Sequence, residues 1–148
     1  MFSPLGIVSS DEIKEGVFKS RLVGALPPVF TASFQNGSIR LYNRPEVVHG
    51  EVQETQEGLR FARPGQSFVE VQFNVEQKLS HPFNLSINPL PDQNVRVTLN
   101  DEEVSGTDVT SLIHEGKNVV RITLREDANA SFTLSSISLS RQFNGIIR

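Results

Sequence analysis

The chain has 148 residues, of which 37% are hydrophobic and 21% charged, with a formal net charge of −3. That length and balance fit a single domain over 1–148 with a sizeable core and exclude a disordered chain. The lack of cysteine excludes disulfides, thiolate zinc sites and a cysteine nucleophile, while the acidic balance leaves nucleic acid as a secondary contact at most.

Residues 1–16 read as an N-terminal arm, with one helical turn near Asp11. The arm lacks the basic start and apolar run of a secretory signal, and no apolar stretch approaches membrane-spanning length. An intracellular chain, cytoplasmic or nuclear, with no membrane partner is therefore expected. Sequons at Asn36, Asn84 and Asn129 carry little weight in that setting. A first strand is expected around Val17 to Val23, stopped by Pro27 and Pro28, which cannot donate to a ladder. VFTASF then alternates Phe30, Ala32 and Phe34 on one face. Asn36-Gly37 is a strong hairpin signal, with Ile39 and Leu41 on the returning strand.

From Asn43 to Gly65 the text is polar and broken by Pro45, Gly50, Gly58 and Pro64. Short edge strands are expected at Val47 to Val52 and Leu59 to Phe61. SFVEVQFNV presents Val69, Val71, Phe73 and Val75 to one side, and HPFNLSINPL does the same with Phe83, Leu85 and Ile87. Val95, Val97 and Leu99 form the next alternating strand, and Asn100-Asp101-Glu102-Glu103 reads as a solvated hairpin tip, not a calcium loop. Asp108 or Thr110 is placed to cap a helical turn carrying Leu112 and Ile113. Gly116 then supplies a turn, with Asn118 tolerant of the same backbone angles, before Val120, Ile122 and Leu124 alternate again. ASFTLSSISLS changes phase between Leu134 and Ile137, which a bulge near Ser135–Ser136 reconciles. Residues 141–148 form a tail or linker.

Many short alternating strands between Gly, Pro and Asn turns predict an all-β, two-sheet antiparallel β-sandwich. It is jelly-roll-like, with one or two short helical turns. VEVQFNV, VRVTLND, DVTSLI, KNVVRITL and ASFTLSSISLS together resemble the PINIT domain of PIAS/Siz-type SUMO E3 ligases. Asp108-Val109-Thr110, Gly116 and Asn118 also resemble the sugar-binding jelly roll found beside family 2 glycoside hydrolases. Both likenesses cover the second half of the chain and rest on one motif, a capped turn feeding a strand. The short gap between Leu99 and Asp108 favours the PINIT likeness. So does the absence of tryptophan, with Tyr42 the one tyrosine, because sugar sites are commonly built on stacked aromatics. No cysteine-rich SP-RING follows, so that likeness implies a recognition part without ligase activity.

Chemistry finds little purchase. The three histidines, His49, His81 and His114, have no metal-ligand spacing, and no serine sits in a nucleophile elbow. The reading is therefore no enzyme, with no cofactor, metal or catalytic residue. Arg40, Tyr42, Arg44 and His49 form the first candidate partner-binding cluster, since arginine and tyrosine join large contact area to directional hydrogen bonds. Arg141, Phe143 and Arg148 form the second. A protein partner is expected first, a carbohydrate second and an oligomeric structural role third. The oligomeric state itself is left open.

Overall fold

Short stretches that alternate apolar and polar side chains satisfy their backbone by pairing and their apolar faces by closing two layers together. The computed structural model describes residues 28–77 and 82–141. The expected arm 1–16, the strand Val17–Val23, His81, and the tail residues Phe143 and Arg148 lie outside the described residues. In chain order the strands are β1 (Phe30–Ser33), β2 (Arg40–Tyr42), β3 (Glu46–Gly50), β4 (Val52–Glu54), β5 (Leu59–Phe61) and β6 (Phe68–Val75). They continue as β7 (Phe83–Asn88), β8 (Val95–Leu99), β9 (Glu102–Glu103), β10 (Gly116–Leu124), β11 (Phe132–Leu134) and β12 (Ser136–Arg141).

Three antiparallel sheets result. A four-stranded sheet runs β2-β1-β12-β7, a five-stranded sheet β3-β6-β10-β8-β9, and a small third sheet β11-β5-β4. The class is all-β, an antiparallel sandwich, as the alternation predicts. Phe30, Ala32, Leu85, Ile137 and Leu139 bury one inner face, and Val69, Val71, Leu99, Val120 and Ile122 bury the other. The Phe30 and Phe73 rings join the layers, with centroids 4.7 Å apart. Full burial of an aliphatic side chain of this kind contributes about 1.5–3 kcal/mol, so β10, paired on both sides, anchors the core.

Several local expectations are corrected. The hairpin around Asn36-Gly37 forms, and both residues take positive φ, 61° and 67°. Its loop is longer than a two-residue turn, because Ser33 pairs with Arg40 and a 3-10 turn, Gln35–Gly37, fills the gap. The loop is held where Asn36 N–H donates to Gln56 O. Leu59 and Phe61 do not mark an edge. They are wholly buried, since β5 is the middle strand of the third sheet. The stretch expected as one strand from Val47 to Val52 is split into β3 and β4 at Glu51, whose φ is 53°.

The phase change after Leu134 is likewise no bulge. β11 pairs with β5, while β12 pairs with β1 and β7, so the chain changes sheet at Ser135. Moving to a second sheet re-aims every later side chain, as an extra residue within one strand does. Gly58 is required beside this corner, because its φ is 147° and a Cβ there falls on the Leu134 carbonyl.

The stretch from Asp108 to Asn118 departs furthest from expectation. Its helical turn is a 3-10 turn, Thr110–Leu112, that begins after Val109 and has no side-chain cap on that residue. Asp108, one position earlier, supplies the expected side-chain acceptor: its carboxylate takes the Thr110 N–H at 3.0 Å and the Thr110 hydroxyl at 2.6 Å. Val109 and Ile113, on either side of the turn, provide the buried anchors in place of Leu112. Asn118 has no unusual backbone role. It is a fully buried amide inside β10. Its Oδ1 accepts the His114 N–H (2.8 Å) and Asn100 Nδ2 (2.9 Å), while its Nδ2 donates to His114 O (2.9 Å) and Gly116 O (3.0 Å). Asn100 therefore belongs to the interior as much as to the tip. Its Nδ2 also reaches Leu112 O at 2.8 Å, and its Oδ1 takes the Val119 N–H at 3.0 Å.

Asn118→Ala orphans these partners in a sealed position and is expected to lower stability by about 2–4 kcal/mol, read as a drop in urea midpoint. The hydroxyl of Thr110, and then its N–H, hold the Asp108 carboxyl below the usual carboxylate range. A lowered folded-state pKa stabilises the fold above the ordinary carboxylate value, and that stabilisation is lost as pH falls through the lowered one. Asp108→Asn is therefore expected to flatten the acid side of the pH–melting profile. An unchanged acid slope would contradict this origin.

Candidate functional site

The end of the sandwich where β1 begins and β12 finishes holds a groove of about 820 Å³. Its position follows from the strand order. β2 closes the four-stranded sheet and β3 opens the five-stranded one, so the chain crosses between layers at Asn43 and Arg44. Both residues take left-handed angles, φ 68° and 56°, a conformation asparagine tolerates well and arginine less so. Pro45 follows, just ahead of β3, at a position that needs no backbone donor. The Asn43 side chain ties the corner down by donating to Val29 O at 2.7 Å.

Tyr42, Arg44 and Arg141 line this groove together. Two clusters far apart in the chain thus meet at one place. Lys117, from the start of β10, joins them as a third cation, and Glu46 and Glu76 line the same groove. Amide side chains of Asn43, Gln72, Asn74 and Gln77 complete the polar wall, with Phe73 and Val75 as the apolar part. Arg44 and Lys117 make no ion pair among the described residues, whereas the other margin of the five-stranded sheet carries Arg96–Glu103 and Arg125–Glu103 pairs. Arg141 is positioned by contact: its guanidinium lies 4.9 Å from the Phe83 ring centroid, and Nη2 donates to Gln77 O at 3.2 Å. Its Nε is enclosed and has no hydrogen-bond partner among the described residues.

Arg40 and His49 do not line the groove. Arg40 lies two residues before Tyr42 on β2, and His49 sits on β3 opposite Val69. Lys117 carried no signal in the sequence, since it opens a strand as an ordinary polar residue. Only the pairing of Lys117 with Asn74 brings it here. Among the described residues no group of three or more His, Asp or Glu side chains is arranged to hold a metal ion, and no helix is long and apolar enough to cross a membrane.

A second, smaller hollow of about 380 Å³ opens between β7 and β8. Leu85, Ile87, Val95 and Val97 form its floor and Leu90, 79% exposed, its lip. The outer face of the five-stranded sheet carries a third feature. Arg121 lies 4.2 Å from the centroid of the Phe68 ring and 3.9 Å from Glu70, and a Cβ on Gly50 comes within 2.5 Å of the Phe68 ring.

Tyr42 and Arg44 are exposed, so Tyr42→Ala and Arg44→Ala are expected to change stability only within the small range of surface changes, about 0.5 kcal/mol. Ile122→Asp puts an unpaired charge into the core and is expected to unfold the domain. Similar melts for both classes would overturn the facing of the strands. Neither a family model, nor a curated protein, nor a solved structure matches the chain.

Proposed function

We propose that the chain is a non-catalytic protein-recognition module that holds a polypeptide segment of a partner in the groove at the end of the sandwich. The observation that carries this reading is the convergence of Tyr42, Arg44 and Arg141 with Lys117 in one groove. Tyrosine and arginine supply most of the binding energy at protein interfaces, because they bury large area and still direct hydrogen bonds. Glu46 and Glu76 line the groove together with the three cations, so the lining suits a segment of mixed charge better than a polyanion. Nucleic acid would take a secondary place, since a phosphate backbone favours an uninterrupted basic track. This is the role the PINIT likeness implies, substrate recognition without ligase chemistry, inside the cell and on a jelly-roll connectivity.

A photo-crosslinking residue at Asn43 is expected to trap protein partners in cell extract, and Arg44→Glu with Lys117→Glu is expected to abolish the adducts. No variant-sensitive protein adduct, together with selective binding on a glycan array, would refute the reading. The carbohydrate alternative rests on the amides Asn43, Gln72, Asn74 and Gln77 beside the exposed Tyr42, since planar polar groups pair well with sugar hydroxyls. Titration calorimetry with sugars that yields no heat counts against it.

A further inference from the structure

Four of the five large apolar side chains exposed among the described residues fall in one stretch. They are Ile39 (38%), Leu41 (45%), Tyr42 (48%) and Val48 (48%). They follow one margin of the sandwich, where β2 ends the four-stranded sheet and β3 ends the five-stranded one. A strand margin that carries apolar side chains is a template for a further strand, and proteins that leave one open usually blunt it.

The register shows which backbone groups turn outward there, without a partner among the described residues. Phe34 N–H donates to Ser135 O, so Phe30, Ala32 and Phe34 turn their backbone groups toward β12 in the alternation of an antiparallel ladder. Leu85 N–H to Thr107 O and Val109 N–H to Phe83 O, beyond β7, follow the same alternation. Thr31 and Ser33 therefore turn toward β2, where they pair with Tyr42 and Arg40. Leu41 is left with its N–H and C=O directed outward. Its side chain lies on the core side, opposite Ala32, while Arg40 and Tyr42 lie on the outer face.

We propose that this margin is an interface between two copies of the chain, joined antiparallel through β2 about a two-fold axis at Leu41. The inference goes beyond the groove reading and does not depend on it. With the axis at Leu41, the outward N–H and C=O of each copy meet their counterparts, and the two Leu41 side chains cover each other. Arg40 then stands opposite the partner's Tyr42, and Tyr42 opposite the partner's Arg40, two symmetric cation–π contacts on one face. The neighbouring registers fail. An axis at Arg40 can use the outward groups of Ile39 and Leu41 but sets two guanidinium groups against each other, and an axis at Tyr42 pairs Leu41 with Asn43, which lies beyond β2 in a left-handed conformation (φ 68°). An axis at Asn43 places Leu41 opposite Pro45, which has no N–H to give. The strand's own sequence thus complements itself in one register, forming an isologous contact that joins two four-stranded sheets into one.

Sedimentation and light scattering of the full chain over a wide range of concentration are expected to show a monomer–dimer equilibrium. Tyr42→Arg sets like charges opposite at both symmetric positions and is expected to weaken the dimer about tenfold or more. The exchanged pair Arg40→Tyr with Tyr42→Arg restores complementarity and is expected to recover it. Leu41→Pro removes the outward N–H and is expected to abolish the dimer while the melting curve confirms the fold. Lys117→Glu, in the groove, is expected to leave the dimer intact, which separates this proposal from the groove reading. A chain that stays monomeric at every concentration overturns the proposal, including one that captures a foreign strand at β2. So does a dimer indifferent to Tyr42→Arg and Leu41→Pro, or an exchanged pair no better than the single change.

Discussion

A polar side chain sealed inside a strand is costly unless every lone pair and proton finds a partner, and Asn118 finds four. This amide ties β10 to the turn before it and, through Asn100, to the tip of the β8–β9 hairpin. The remaining architecture depends on that knot, because β10 sets the register of β6 on one side and β8 on the other. Hydrophobic burial closes the layers and forbids a slip of one residue, but a slip of two keeps every side chain on its face. Directional bonds at one end of the central strand tolerate neither, since a shift along β10 breaks all of them together.

Smaller polar hubs do the same at the corners. Ser67 is wholly buried; its Oγ donates to Glu51 O and accepts the N–H groups of Ala62 and Arg63. It pins the break between β3 and β4 to the turn before β6. Asn94 holds the other end, where its Oδ1 accepts the Asn129 N–H at 3.1 Å and its carbonyl takes the Arg125 N–H. These side chains work at points where the chain leaves regular pairing, as expected for backbone groups that lack a ladder partner.

Alternation alone makes the long strands legible in the sequence. Val69 to Val75, Phe83 to Ile87, Val95 to Leu99 and Val120 to Leu124 all face inward as their period requires. Periodicity does not tell where a strand belongs. The phase slip at Ser135 shows in the sequence as a slip, but a bulge and a change of sheet leave the same trace. Leu59 and Phe61 lie in polar text and look peripheral, yet β4 and β11 flank them on both sides. Ile39 and Leu41 look like core and stand exposed, with no strand beyond them among the described residues. The buried amide of Asn118 is hidden for another reason. Asparagine close after glycine reads as a turn, and only the fold turns its side chain inward. Of the groove, Tyr42, Arg44 and Arg141 are legible by residue type, while their meeting is a product of topology, as is the arrival of Lys117.

Pro28 and Val29, just before β1, and Arg141, the last residue of β12, all border the groove. Val29 and Leu139 are also joined directly, by a hydrogen bond of 2.7 Å. The start of β1 and the end of β12 therefore sit on a common rim, so a partner segment held there, as proposed, would press on both strand ends at once. A pair of fluorophores attached at those two points would sense occupancy as a change in their separation, with no probe needed on the guest.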